Sequence, residues 1–289
     1  MPASAQKPSG RTRTALTVAG SDSCGGAGIQ ADLKTFARLG VHGMCVITAV
    51  TAQNTTGVRA AKEMDRRLVR VQIQALCEDL PVDATKTGML ASRGMVETVA
   101  ALIREEVLRP YVCDPVVFAK SGDRLVGQGV VEAIRDLLLP LATVVTPNVR
   151  EAELLAGMKE GSVSTLRSAR EAARRLLGGQ GTFSLSVVVK GVRRRREMLD
   201  LVVSGGEEAV LAGPLESERG THGSGCVFSA ATTAGLACGL DLWKSVDQAK
   251  RLVEAAIRHP VKLGKGRWPV NPTVRWALPP GGRKNSPLA

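Results

Sequence analysis

The chain has 289 residues, of which 44% are hydrophobic, and a formal net charge of +12, so it is long and apolar enough to bury a substantial core. No run approaches 18 consecutive apolar residues, and the polar, basic N-terminus lacks the apolar segment of a secretory signal, so we expect neither a transmembrane helix nor a signal peptide. Six cysteines without CxxC spacing argue against a zinc cage or a secreted disulfide framework. Because only 3% of the residues are aromatic, phosphate-bearing substrates explain the charge at least as well as nucleic acid does.

Short β-rich runs alternate with amphipathic helical stretches along the whole chain. Strands are predicted at 14–20, 44–52, 84–90, 111–117, 142–148, 184–191 and near 198–211. Helices are predicted at 29–40, 69–80, 93–107, 128–139, from 151, 164–178, 224–238 and 242–258. The basic run RRRR at 193–196 lies between two apolar segments and is predicted to be an exposed hairpin turn.

This alternation, without internal repeats or a long linker, predicts one α/β domain that is doubly wound around a mainly parallel sheet. We place the domain at 13–270, with a flexible tail at 1–12 and a C-terminal extension at 271–289. In such sheets ligands bind beyond the carboxyl ends of the strands. The residues that follow each strand are therefore the candidates for function.

Two of these strand ends suit a small ligand. GSDSCGGAG (20–28) follows the first strand, and its glycines allow close backbone approach to a ligand at the start of a helix, although a flexible turn explains them equally well. It is not a P-loop, since GxxxxGK[ST] does not occur in the chain. Gln53, after the second strand, offers one acceptor and two donors to a heteroaromatic edge that carries an amino group.

The later strand ends carry charge. Asp114 either orients a magnesium-bound water or anchors a turn, and Lys120 lies in a glycine-containing segment with the composition of a mobile lid. Asn148 and Glu151 have the spacing of a capping box, which by itself explains both residues. Lys190 ends its strand where an ammonium would meet nucleotide phosphates.

The stretch GTHGSGC (220–226) opens an apolar helix and allows two interpretations. Either it is a tight turn with an inert thiol, or Gly223, Ser224 and Gly225 form an anion cradle at a helix N-terminus. In the second case the helix field is expected to lower the pKa of Cys226 from about 8.5 towards neutrality, which suits a proton acceptor. His222 either assists this proton transfer or has a structural role, which is the more common one for a histidine beside a turn.

Six stretches occur in one order with compatible spacing: ALTVAGSDSCGGAGIQADLKTFARLG, VITAVTAQNT, TKTGML, DPVVFAKSGDRL, TPNVREAELL and THGSGC. With them the chain, from about residue 14 to 270, resembles the hydroxymethylpyrimidine/phosphomethylpyrimidine kinases of thiamine biosynthesis, which are members of the ribokinase-like superfamily. The resemblance implies ATP, Mg²⁺ and two successive phosphorylations of 4-amino-5-hydroxymethyl-2-methylpyrimidine, first to the monophosphate and then to the diphosphate.

The resemblance also implies roles for individual residues. The pyrimidine is expected to contact Gly20, Asp22, Gln53 and Met89, and the anion hole and base are expected to be Gly223, Ser224, Gly225 and Cys226. Lys190, Asn148 and Lys120 are assigned to the nucleotide, and Asp114 and Glu151 to the metal. The chain departs from the family in KGVR (190–193), where KGGH is common, and in GKGRWPV (264–270), where Trp268 replaces a glycine.

Two other functions stay open at this point. A pyridoxal kinase of the same superfamily would also use a glutamine-lined cavity and a cysteine base. A catalytically silent ligand-sensing or nucleic-acid-binding protein on this scaffold would use the positive charge. We expect a cytoplasmic homodimer that acts on a small molecule, without nucleic-acid or membrane partners.

Overall fold

A nine-stranded sheet runs through the protein, whose computed structural model describes residues 10–119, 122–178, 185–216 and 218–275. The strands are β1 (Thr14–Asp22), β2 (His42–Asn54), β3 (Gly57–Glu63), β4 (Ala84–Thr87), β5 (Tyr111–Cys113), β6 (Val144–Val145), β7 (Ser186–Arg194), β8 (Glu197–Ser204) and β9 (Glu207–Pro214). They lie in the order β3-β2-β1-β4-β5-β6-β7-β8-β9. Six neighbouring strands of the sheet are parallel, namely β2, β1, β4, β5, β6 and β7, which confirms the predicted mainly parallel sheet.

Three antiparallel strands form hairpins at the two edges of the sheet. β7, β8 and β9 follow one another directly, and Arg195 and Arg196 form the turn between the first two, as the basic run predicts. β3 pairs with β2 at the opposite edge. The sequence prediction did not include β3, because most of its residues are exposed and it lacks the apolar alternation of a half-buried strand.

Helices cover both faces of the sheet. They are α1 (Gly28–Arg38), α2 (Arg66–Asp79), α3 (Arg93–Glu105), α4 (Val130–Ala133), α5 (Val149–Leu155), α6 (Leu166–Gly178), α7 (Ser224–Ala237) and α8 (Leu242–Arg258). The helix predicted over 128–139 differs, because α4 passes into a π-helical turn at Ile134–Leu138 and a 3₁₀ turn at Leu139–Leu141. Pro140 has no amide donor and disrupts the preceding turn, so a regular α-helix cannot continue there.

The core lies on both sides of the sheet because adjacent strand residues point in opposite directions. Val187 and Val189 of β7 pack into a cluster with α2 to α6, whereas Val188 between them packs with α7 and α8. This arrangement is that of the predicted single, doubly wound α/β domain. Within the described residues, no helix combines the length and apolar character that a membrane span requires.

Candidate active site

A cavity of about 600 Å³ opens beyond the carboxyl ends of the parallel strands. The predicted site residues that line it are Gly20, Asp22, Gln53, Met89, Asp114, Asn148, Glu151, Lys190, Gly223, Ser224, Gly225 and Cys226. Lys120 lies outside the described residues. The fold therefore brings together side chains that are separated by up to about 200 residues in the chain, as expected for a parallel sheet.

Asp22 organises the glycine-rich loop that follows β1. Its carboxylate accepts hydrogen bonds from the backbone amides of Cys24, Gly26 and Ala27 at 2.9, 3.1 and 2.8 Å. His222 Nε2 lies 3.0 Å from the same carboxylate. Burial alone would raise the pKa of Asp22, but the bonds from His222 and the amides lower it below its ordinary value. The contact with Asp22 connects His222 to the glycine-rich loop.

The N-terminus of α7 meets the glycine-rich loop backbone to backbone. Gly223 is the N-cap, with a φ of 82°, and a Cβ there would lie 1.8 Å from the carbonyl oxygen of Gly26. Only glycine fits this position. The Ser224 amide donates to the Thr221 carbonyl at 3.2 Å, but a glycine N-cap offers no side-chain acceptor, so no capping side chain competes with an anion for the amides of Gly225 and Cys226.

Cys226 occupies the third position of α7 and is half-buried. Burial raises its pKa to about 12, the negative charges of Asp32 and Asp114 add to the rise, and Lys86 and a backbone hydrogen bond from Gly28 oppose it. The predicted lowering of this pKa is therefore wrong. The helix field acts on Cys226, but desolvation of the thiolate outweighs it.

Opposite charges meet on the β5 to β7 side of the cavity. Lys190 Nζ lies 3.2 Å from Asp114 Oδ1, and Ser229 Oγ donates a 2.9 Å hydrogen bond to Asp114 Oδ2. A Cβ on Gly225 would lie 3.6 Å from Lys190 Nζ, so this ammonium also faces the start of α7. The position suits a cation that binds phosphate between Asp114 and the anion cradle.

Asn148 and Glu151 form the predicted capping box. Asn148 Oδ1 accepts from the Glu151 amide at 3.0 Å, and the Asn148 amide donates to Glu151 Oε2 at 2.9 Å. Burial raises the pKa of Glu151 to about 7, Lys190 lowers it, and Asp114 raises it further. Asp114 and Glu151 are thus two buried carboxyl groups near one ammonium, a donor set that suits Mg²⁺.

On the β1 to β4 side of the cavity, a glycine lies beside a methionine and a glutamine. A Cβ on Gly20 would lie 3.3 Å from Met89 Sδ, so the Met89 side chain packs where a larger residue at position 20 would crowd it. The backbone of Gln53 is fixed by Ser23, whose Oγ accepts from the Gln53 amide at 2.8 Å and donates to its carbonyl at 2.7 Å. This combination of an amide side chain and a thioether suits a flat, partly polar ring.

The segment that contains the unusual Trp268 connects two walls of the cavity. The Arg267 amide donates to the Thr55 carbonyl at 2.8 Å, and His222 exchanges backbone hydrogen bonds with Trp268 and Val270 at 3.2 and 2.9 Å. The Arg219 guanidinium lies 4.2 Å from the centre of the Trp268 ring. In KGVR, the Gly191 amide donates to Asp200 at 2.8 Å. Trp268, one of the two departures from the family, is therefore held by backbone hydrogen bonds and by the Arg219 guanidinium.

Two buried ion pairs in the cavity wall are absent from the sequence prediction. Lys86 Nζ lies 2.7 Å from Asp32 Oδ1, and Lys250 Nζ lies 2.9 Å from Asp200 Oδ2. The signal for the first pair is present in the sequence. Asp32 lies three residues after Ile29 on the buried face of α1, and Lys86 stands inside a short buried strand, where an isolated charge is costly.

The chain as a whole is similar to a known group of enzymes. The sequence profile of the phosphomethylpyrimidine kinases matches residues 22–271. The chain belongs to this family. A hydroxymethylpyrimidine/phosphomethylpyrimidine kinase of Streptomyces coelicolor is 44% identical over 263 residues, which cover 91% of this chain and 94% of that protein.

Solved structures support both the family and the fold. A phosphomethylpyrimidine kinase from Clostridium difficile superposes with a TM-score of 0.74 at 35% identity, covering 85% of this chain and 100% of that one. A pyridoxal kinase from Staphylococcus aureus in complex with ADP superposes with a TM-score of 0.83 at 32% identity, covering 91% and 94%. The phosphomethylpyrimidine kinase fold and the kinase class expected from the sequence are thus confirmed.

Proposed function

We propose that this kinase transfers phosphate from ATP to 4-amino-5-hydroxymethyl-2-methylpyrimidine and then to the resulting monophosphate, in thiamine biosynthesis. The observation that carries the proposal is the composition of one cavity. It combines a half-buried cysteine in an open helix N-terminus with a phosphate-binding lysine and a cavity side that suits a flat ring. Membership in the phosphomethylpyrimidine kinase family supports the substrate.

The anion cradle and Lys190 together would hold the phosphoryl group in flight. Its charge is spread over three oxygens, and fixed backbone amides and an ammonium stabilise that charge without reorganising. The pyrimidine would lie on the other side, with its amino edge at Gln53 and its ring against Met89 and Gly20. Asp22 would support this side through the loop that it organises.

Asp114 and Glu151 would hold Mg²⁺, and Asn148 would keep Glu151 in place through the capping box. Bound there, Mg²⁺ would neutralise charge on the nucleotide phosphates. The raised pKa of Glu151 fits this assignment, because two buried carboxyl groups with one lysine lack a second positive charge. Lys120 remains a proposed contact of the nucleotide.

Cys226 would accept the proton of the substrate hydroxyl as its oxygen attacks phosphorus. Because the raised pKa makes the thiol the resting form, Cys226 must first lose its own proton to solvent, and the thiolate so formed is a strong base that accepts the hydroxyl proton. No covalent phospho-enzyme or metal–thiolate bond is part of this proposal.

An ATP-coupled assay with three acceptors tests the function. The purified protein is offered hydroxymethylpyrimidine, its monophosphate and pyridoxal in parallel, and we expect turnover of the first two. Pyridoxal is included because pyridoxal kinases share the fold. Turnover of pyridoxal alone would contradict the proposal, and failure on the monophosphate would reduce it to a single-step kinase. Tight, salt-dependent nucleic-acid binding without turnover would support a silent scaffold instead.

We further propose that the protein is a cytoplasmic homodimer that acts on small molecules. The dispersed basic residues and the few aromatic side chains give no support to a nucleic-acid partner. Size-exclusion chromatography with light scattering tests the dimer, and a monomer at working concentration would contradict it.

A further inference from the structure

A cluster of three side chains that can bind a metal lies where the glycine-rich loop meets the residues before α7. Within the ranges that the structure describes, Asp22, Cys24 and His222 each offer one ligand atom, and these three atoms all lie within 4.8 Å of one another. Asp22 and His222 are buried, and Cys24 is half-buried. The contact between Asp22 and His222 accounts for two of the side chains, but it gives no reason for the cysteine beside them.

The donor set of this cluster suits zinc rather than magnesium. Zn²⁺ binds cysteine sulfur, histidine nitrogen and carboxylate oxygen, whereas Mg²⁺ prefers oxygen ligands. A carboxylate and a thiolate together also carry two negative charges, which match the charge of the ion. Asp114 and Glu151, on the β5 to β7 side of the cavity, offer carboxylate oxygen, so the two places are expected to select different metals.

The spacing of the three ligand atoms is close to that of a tetrahedral site. Zinc–ligand bonds of about 2.0–2.3 Å place the ligand atoms of tetrahedral Zn²⁺ about 3.3–3.6 Å apart. His222 Nε2 lies 3.0 Å from Asp22 Oδ2, so these two atoms need to separate by only a few tenths of an ångström. The sulfur of Cys24, within 4.8 Å of both, needs to approach by about 1.2 Å at most. Small side-chain movements are therefore enough to form the site.

The backbone holds the three ligands close to these positions. Asp22 Oδ1 accepts a 2.9 Å hydrogen bond from the Cys24 amide, so both residues belong to one tight turn. The backbone of His222 is fixed by hydrogen bonds with the segment 268–270. Its ring packs so closely against Gly26 that a Cβ there would lie 2.4 Å from Cδ2 and 2.9 Å from Nε2. Ligands that are oriented by their surroundings in this way are typical of metal sites.

A metal ion can reach the cluster from solvent. Asp22 and His222 line the active-site cavity, and His222 also lines a neighbouring cavity of about 560 Å³ at the turn between β2 and β3. Cys24 is partly exposed on its own account. An entry path and room for a water as fourth ligand are thus present without unfolding of the loop.

We propose that Asp22, Cys24 and His222 form a binding site for Zn²⁺, separate from the site proposed for Mg²⁺. A Zn–S bond replaces the S–H bond of Cys24, whose proton passes to solvent, and His222 binds through Nε2 with its ring proton on Nδ1. The ion connects the loop after β1 to the residue that precedes the N-cap of α7, and it holds these two segments together. The proposal does not depend on the substrate of the kinase.

The test measures metal binding by the full chain, freed of metals by chelation and dialysis, in an excess of Mg²⁺. Competition with a chromophoric chelator gives the Kd of Zn²⁺. Co²⁺ then serves as a spectroscopic probe, because a cobalt–thiolate bond has a charge-transfer absorption of its own. The variant Cys24→Ser removes the sulfur ligand at almost unchanged volume. Cys77→Ser is the matched control, since Cys77 on α2 is also a half-buried thiol but lies outside the cluster.

We expect the wild-type protein and Cys77→Ser to bind Zn²⁺ with the same Kd. Cys24→Ser is expected to bind it about 100-fold more weakly, because even the loss of a group that only orients a ligand costs about 10–100-fold in affinity. The thiolate absorption of the Co²⁺ complex should be present in the first two proteins and missing in Cys24→Ser. The spectrum of the wild-type protein tests the sulfur ligand without any substitution.

Equal Zn²⁺ affinities of the wild-type protein and Cys24→Ser would overturn the proposal. So would a wild-type protein that does not bind Zn²⁺, or one whose Co²⁺ complex lacks thiolate absorption. None of these results bears on the proposed kinase function, because that function is tested by turnover of its acceptors with Mg²⁺ and ATP.

Discussion

At the residue scale, burial decides the acid–base behaviour of the site. The sequence places Cys226 at a helix N-terminus, where a lowered pKa is expected, yet the pKa lies at about 12. Glu151 follows the same rule, since burial raises its pKa from 4.5 to about 7. Neither shift can be derived from sequence position, because desolvation depends on how neighbouring elements cover the group.

Glu151 gives a pH-dependent prediction for stability. A carboxyl whose pKa is higher in the folded state stabilises the protein fully below its unfolded pKa, and this contribution is lost as pH rises through about 7. Relative to the wild-type protein, Glu151→Gln should therefore lower the unfolding free energy by about 2–3 kcal/mol more at pH 5 than at pH 8. Urea unfolding at both pH values measures it, without nucleotide or Mg²⁺.

Comparison across pH separates this effect from the capping box. The substitution removes one acceptor for a backbone amide at pH 5 and at pH 8 alike. This loss of stability is therefore the same at both pH values and cancels when the two are compared. If the substitution changed the unfolding free energy equally at pH 5 and pH 8, Glu151 would be ionised in the folded protein at pH 5.

At the element scale, the contact between the glycine-rich loop and the start of α7 defines the anion cradle. Sequence periodicity predicted α1 and α7 nearly to the residue, because each has a clear apolar face or run and a glycine at its start. It could not predict that Gly223 and Gly26 would touch. That contact joins residues about 200 positions apart and follows from the order of the strands.

Gly223→Ala tests this contact. The added methyl group would lie 1.8 Å from the Gly26 carbonyl oxygen, so the loop and α7 must separate. We expect kcat to fall by about 10²-fold, since misplacement of reacting groups by about 1 Å costs that much. The melting temperature is also expected to fall.

Gly239→Ala, just beyond the other end of α7, is the matched control. Gly239 has a similar φ of 80°, but a methyl group added there would meet no neighbouring atom within 4 Å. It should show only the backbone strain, about 1–2 kcal/mol, with kcat unchanged. Equal kcat losses in both variants would mean that strain at positive φ, rather than the loop contact, causes the effect.

At the scale of the whole molecule, the sequence predicted the architecture and the location of the site but missed parts of both. Strand–helix alternation and strand-end chemistry were enough to bring the predicted residues to one cavity. β3 was missed because its residues are mostly exposed. The sequence places Asp32 and Lys86 at buried positions, but it does not show that the two pair, because they lie on separate elements. Such pairings are set by tertiary contacts, which short-range patterns do not contain.

The two acceptors of the proposed reaction differ in their need for a base. The hydroxyl of hydroxymethylpyrimidine must lose a proton to form the phosphate ester. The monophosphate, with a second pKa of about 6, already presents an ionised oxygen at neutral pH. If Cys226 is the proton acceptor, its loss should therefore affect the two phosphorylations unequally, whereas a cysteine that only packs would affect both alike.

The most direct test is the rate of each phosphorylation by Cys226→Ala, measured at saturating ATP and Mg²⁺ against Cys238→Ala, an exposed thiol just after α7, as control. We predict that kcat for hydroxymethylpyrimidine falls by roughly 10²–10⁴, while kcat for the monophosphate changes by less than about tenfold because its acceptor oxygen is already ionised. Near-wild-type rates on both acceptors, or equal losses on both, would contradict the assignment of Cys226 as the proton acceptor.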